Sequence, residues 1–153
     1  MRVWRICRKA HAADPLGGRG GLFFSGRWHP RGIRIVYTSA TLSLAALELL
    51  VQVDRDLLWA NLVQIEINLP DDLPMERIEA GRLPSNWRHY PAPAGLQRIG
   101  AGWIEQGKTA VLRVPSAVIP DEANYLLNPA HPATERIKVV GRRAFVLDPR
   151  LGP

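Results

Sequence analysis

Three residues in the stretch GRWHPRGIRIVYTSATLSLAALELL, Gly26 to Leu50, carry side chains suited to one reaction: Arg27, Tyr37 and Glu48. An arginine presents a planar donor fork to phosphate. A tyrosine ring offers a face to a cation or a base. A carboxylate stabilises positive charge that builds up on a reacting centre. The three are ten and eleven residues apart, and together they suit a substrate with a phosphate and a sugar–base bond. Each also has a plain structural role open to it. Arg27 fits as a solvated loop charge, Tyr37 as a core residue with its hydroxyl at the edge, and Glu48 as the buried partner of an arginine.

To meet, the three need a loop, a strand and a helix in succession. Gly26 to Gly32 is turn chemistry, since glycine tolerates positive φ and proline donates no N–H. Ile33 to Thr38 reads as a strand, with Ile33, Ile35 and Tyr37 on one face. Thr41 to Val53 reads as a helix capped by Thr41 or Ser39. It is apolar almost all round, which predicts a largely buried helix. Glu48 is its only charged residue, and a carboxylate there is costly unless paired or used.

The 153 residues suit one domain, 1–153, with enough chain for a sizeable core. Lys+Arg 20 against Asp+Glu 14 gives +6, which favours a phosphorylated or acidic partner. Only Lys9, Lys108 and Lys138 are lysines, and no long basic run or aromatic-interleaved basic stripe occurs. Direct nucleic-acid binding is therefore not expected. Cys7 stands alone, which excludes an internal disulfide and a cysteine metal cluster. His11, His29, His89 and His131 lack metal-ligand spacing, so no metal is expected. With no apolar leader and no membrane-length run, the expected location is the cytoplasm.

Around the central unit, Arg2 to Arg8 reads as a first strand. Arg5 in its middle either faces solvent or reaches into the site, and it is counted with the substrate-binding residues. The glycines of the His11–Ser25 loop suit a close approach to a ligand or another loop, with Leu22-Phe23-Phe24 as an apolar plug. Trp59 to Leu69 reads as a strand with Val63, Ile65, Ile67 and Leu69 on one side. Gly95 to Gln106 reads as a helix ended by Gly107, and Thr109 to Val114 as a strand ended by Pro115. Ser116, between prolines, suits either a turn cap or a ligand contact. Asn124 to Pro132 is turn-rich. Ile137–Val140 and Ala144–Leu147 read as strands around a Gly141-Arg142-Arg143 turn.

Taken in series, GRWHPRGIRIVYTSATLSLAALELL, VPSAVIP and NYLLNPAHP resemble the RES-domain toxins of bacterial toxin–antitoxin pairs, over nearly the whole chain. One departure is His29, where an asparagine often stands; as a turn residue it is expected to leave the proposed catalytic positions untouched. The resemblance implies an α/β (α+β) single domain with a mixed sheet core, related to ADP-ribosyltransferase toxins. It implies no cofactor, with NAD+ as substrate, cleaved at the nicotinamide–ribose bond by water or phosphate. Some relatives transfer ADP-ribose to a protein instead. It implies a partner as well, an Xre-like helix-turn-helix antitoxin covering the active site. The matching motif positions are Arg27, Tyr37, Glu48 and Ser116, with Asn124 a looser match.

The chemistry agrees with those roles. Cleavage builds oxocarbenium character on the ribose while a cationic nicotinamide leaves neutral, so one carboxylate suffices and no general acid is needed. Glu48 takes that part, Arg27 the pyrophosphate and Tyr37 the nicotinamide ring, with Ser116 on the carboxamide or a ribose hydroxyl. A non-catalytic module that holds a nucleotide or an acidic protein is the other class of function. Such a binder has no use for a carboxylate beside its anionic ligand.

Overall fold

Seven strands build one mixed sheet in the order β4-β5-β6-β2-β1-β3-β7 in the computed structural model, which describes residues 1–52 and 61–151. In chain order they are β1 Arg2–Arg8, β2 Val36–Ser39, β3 Leu62–Asn68, β4 Met75–Arg77, β5 Val111–Pro115, β6 Ala123–Leu127 and β7 Lys138–Phe145. Neighbours are antiparallel except β4 and β5, which run parallel. Two α-helices, α1 Leu42–Gln52 and α2 Ala94–Gln106, complete the α+β fold among the described residues. The expected strand from Trp59 begins at Leu62, and its first residues, like Val53 of the expected helix, lie outside the described ones.

The two faces of the sheet follow from strand alternation. Val3, Cys7, Val36, Ile65, Ile67, Tyr125 and Leu127 form one core layer. On the opposite face Ile35, Leu112, Val114 and Leu126 meet Trp28, Trp87 and the α2 residues Leu96 and Trp103. α2 ends at Gly107, whose φ of 57° and bond to the Trp103 carbonyl make the expected C-cap. Thr41 caps α1, its Oγ1 accepting the Leu44 N–H at 3.0 Å.

Several expectations need correction. α1 is apolar but not largely buried: Leu44 and Ala45 face the sheet, while Leu47 is 37% and Val51 61% exposed. Composition sets how apolar a helix is, yet only one stripe of it can touch a single sheet. The Phe23-Phe24 plug is exposed too, at 59% and 74%. β2 starts at Val36 instead of Ile33, because the glycine loop lies along the preceding backbone; a Cβ on Gly21 would sit 2.1 Å from the Ile33 carbonyl oxygen. The segment read as turn-rich contains β6, in the middle of the sheet between β5 and β2. Gly141-Arg142-Arg143 is no turn: it runs inside the continuous strand β7, opposite Glu66, Ile65 and Gln64. The register skips Val140, a β-bulge that absorbs one residue where a turn was expected.

Candidate active site

Register decides which side chains meet. Ser39 on β2 lies opposite Asn124 on β6 and Trp4 on β1. Tyr37 and Ser39 are two apart and so share one face with Asn124, the face that α1 and α2 cover. α1 follows β2 after a two-residue connection and packs on β1 and β2, which brings Glu48 over that face.

Glu48 is half-buried and held from one side only. Its Oε1 accepts the Ser116 hydroxyl at 2.7 Å and the Asn124 Nδ2–H at 2.6 Å. Among the described residues Oε2 has no partner. Ser116 is fully buried, and its oxygen also accepts the N–H groups of Val118 and Ile119, both at 3.0 Å. The hydroxyl therefore serves both as a turn cap and as a donor that fixes the carboxylate. Asn124 is oriented in turn by Ser39, whose Oγ–H donates to Asn124 Oδ1 at 2.8 Å.

Arg27 is partly buried beneath the 87–89 loop. Its Nη1 donates to the carbonyls of Trp87 at 2.6 Å and His89 at 3.2 Å. That spends both Nη1 hydrogens on the scaffold and leaves the Nε–Nη2 edge without a protein partner among the described residues. Burial pulls the guanidinium below its ordinary value, while the Glu48 carboxylate and Tyr37 pull it back up, so the three belong to one electrostatic unit. The Gly26 carbonyl next to it accepts Gln97 Nε2–H from α2 at 3.1 Å.

Tyr37 has its hydroxyl committed. It accepts the Trp28 N–H at 3.1 Å and contacts His29 Nδ1 at 2.8 Å. Burial drives the phenol well above its usual value, so it remains protonated. What Tyr37 can offer a ligand is its ring.

The loop, β2, α1, the end of β5 and β6 thus bring together Arg27, Tyr37, Glu48, Ser116 and Asn124. Arg5 is not with them. In β1 it lies two residues from both Val3 and Cys7, so it shares their face, and it pairs with Ile65, on the side of the sheet opposite the site. There it lies beside Cys7 and within electrostatic reach of Asp14, with its buried Nε unpartnered among the described residues. A seven-residue strand cannot turn one side chain through the sheet, so the assignment of Arg5 to the substrate is withdrawn. His29 departs from expectation in the other direction, since it touches Tyr37 directly. Ser39 was missed as well; the only sequence signal was its place two residues after Tyr37 on the same strand face.

The RES domain model matches residues 2–148. The chain belongs to the RES domain family. Among RES relatives, it is 38% identical over 152 residues to the Prs ADP-ribosylating toxin of Sphingobium sp. (strain YBL2), covering 97% of this chain and 94% of that one. It is 36% identical over 154 residues to Toxin Res of Yersinia enterocolitica, covering 99% of both. The RES fold seen here is similar to that of a chain in the M. tuberculosis MbcT–MbcA toxin–antitoxin complex. The TM-score is 0.79 at 15% identity, with 95% of this chain and 84% of that one covered.

Proposed function

We propose that this RES-domain chain is the toxin of a toxin–antitoxin pair and an enzyme that breaks the nicotinamide–ribose bond of NAD+. The observation that carries the reading is the one-sided grip on Glu48. Two donors fix Oε1, and among the described residues Oε2 stays open beside an arginine whose Nε–Nη2 edge is also open. A binder of pyrophosphate gains nothing from a carboxylate there, whereas an oxocarbenium-like ribose does.

In this mechanism the Nε–Nη2 edge of Arg27 takes the pyrophosphate in a bidentate contact. The Tyr37 ring faces the cationic nicotinamide, a contact worth roughly 0.5–2 kcal/mol. Glu48 Oε2 accepts a ribose hydroxyl and stabilises the positive charge as the C1′–N bond breaks. The bonding pair leaves on the nicotinamide nitrogen, which becomes neutral and needs no proton. A nucleophile then attacks C1′. Ser116 and Asn124 act through Glu48, holding its carboxylate in place.

The acceptor is water or phosphate in the first form of the reading, hydrolysis or phosphorolysis. Transfer of ADP-ribose to a cellular protein is the second form, favoured by the name of the Sphingobium relative. The partner in either case is an Xre-like helix-turn-helix antitoxin that covers the cleft, a reading supported by the assembly in which the structural neighbour was solved. A cytoplasmic location suits an NAD+-consuming toxin, and no helix among the described residues is long and apolar enough to cross a membrane. The deciding experiment incubates the purified chain with NAD+ alone, with phosphate, and with cell extract as a source of protein acceptors, and identifies the products by mass. Intact NAD+ in every arm would sink the enzymatic reading.

A further inference from the structure

His29 is only 4% exposed, and both of its ring nitrogens are engaged. Nε2 lies 3.1 Å from the Phe24 carbonyl, and Nδ1 lies 2.8 Å from the Tyr37 hydroxyl. A carbonyl can only accept, so Nε2 carries the proton. In the neutral ring Nδ1 is then the acceptor, and the Tyr37 O–H donates to it. The same phenol oxygen accepts the Trp28 N–H. This chain of bonds runs from the exposed Phe24 loop through His29 to Tyr37 and back to the residue after Arg27. It is closely packed: a Cβ on Gly26 would fall 2.7 Å from both His29 Cε1 and the Tyr37 oxygen.

We propose that His29 is a positioning residue that sets the orientation of Tyr37 and of the Arg27 loop, and that its neutral, Nε2-protonated form is required, so that mild acid disables the site. Protonation puts a second donor on Nδ1, aimed at the Tyr37 oxygen. The phenol hydrogen must then rotate away, and in this packed setting it loses its acceptor. Tyr37 does not escape by ionising, since burial holds its proton on.

Among the described residues, the groups around the ring give the imidazolium no counter-charge. From β2 it meets the neutral Tyr37 phenol and from its own loop the Phe24 carbonyl; Arg27 and Glu48 act on Tyr37. Burial accordingly pulls the His29 value below its ordinary 6.5, opposed only by the Phe24 carbonyl. The sign follows. The folded state prefers the neutral ring, so this contribution to stability is complete above about pH 6.5, declines as pH falls from there, and is gone below the folded value.

The kinetic part of this inference rests on the NAD+ reading; the spectroscopic part does not. In 15N-imidazole-labelled protein, His29 should show an acceptor-type Nδ1 and a protonated Nε2, and should titrate below 6.5. A protonated Nδ1 at neutral pH, or titration at or above 6.5, overturns the proposal whether or not NAD+ is cleaved. If NAD+ is cleaved, His29→Leu should lose roughly tenfold in turnover, the worth of one buried hydrogen bond. On a Tyr37→Phe background the same change should cost little further. His29→Asn keeps an acceptor without titrating, so it should recover turnover relative to His29→Leu and move the acid limb of the pH profile downward. Thermal melting establishes that each variant is folded. An acid limb unchanged in His29→Asn, or additive losses for His29→Leu and Tyr37→Phe, also overturns it.

Discussion

The Ser39 hydroxyl donates to Asn124 Oδ1 at 2.8 Å, and this contact settles which end of the Asn124 amide faces Glu48. With the oxygen engaged by Ser39, the Nδ2–H is the end that reaches Glu48 Oε1 at 2.6 Å. A buried serine that does not itself reach Glu48 thereby dictates the donor set of the carboxylate.

Glu48→Gln should fold, because an amide oxygen can still accept from Ser116 and Asn124. NAD+ cleavage should fall by about 100- to 1000-fold, the size of a lost electrostatic stabilisation of roughly 2.7–4 kcal/mol. Near-full turnover in a folded Glu48→Gln protein would make Glu48 a structural carboxylate.

Arg27→Lys keeps the charge but lacks the planar fork that can hold the two carbonyls on one side and grip phosphate bidentately on the other. NAD+ use should weaken while cleavage of nicotinamide riboside, if it is accepted, changes little. Comparing kcat/KM for the two substrates tests this; equal losses would assign Arg27 to loop architecture alone.

Ser116→Ala leaves the Val118 and Ile119 N–H groups without their acceptor and removes one of two donors to Glu48. A loss of about 1–3 kcal/mol in stability is expected from the orphaned groups, with a fall in turnover beyond the thermal effect. Calorimetry and single-temperature rates separate the two.

Thr41→Ala removes the cap of the helix that carries Glu48. It should cost about 1 kcal/mol, a drop of roughly 2–4 °C in Tm, while turnover at 25 °C stays close to wild type. A large kinetic effect without the thermal one would mean that Thr41 acts at the site.

Expression of the wild-type chain alone should arrest growth, and Glu48→Gln should relieve the arrest without losing the partner. The net charge of +6 and the open edge of Arg27 suit a partner that presents a carboxylate to that arginine. Binding should weaken with salt and compete with NAD+. Equal harmlessness of wild type and Glu48→Gln at matched expression would end the toxin reading.

Much of this was legible in the residues because it depended on local pattern. The Arg2–Arg8 strand, the Thr41 cap and the Gly107 stop each follow from side chains within a few positions. β6 was not legible: Tyr125, Leu126 and Leu127 are all buried, so the strand shows no alternation, and the asparagines at 124 and 128 suggest turns. β7 hid behind Gly141 because a bulge can absorb an extra residue invisibly. Arg27, Tyr37 and Glu48 stood out by residue type, but the partners of Glu48 lie 68 and 76 residues away. Arg5 was misplaced because the parity of β1 against β2 is set by pairing, which no single strand encodes.

Those 68 and 76 residues have a bearing on how the chain is made. Arg27, Tyr37 and Glu48 emerge from the ribosome first, before either donor to the carboxylate exists. Asn124 arrives on β6, the strand that joins β5 to β2 in the centre of the sheet. A nascent or truncated chain ending before it holds Arg27, Tyr37 and Glu48 but neither the full grip on Glu48 nor a continuous sheet beneath them. The expected consequence is that a nascent chain stays harmless until Asn124 has been added.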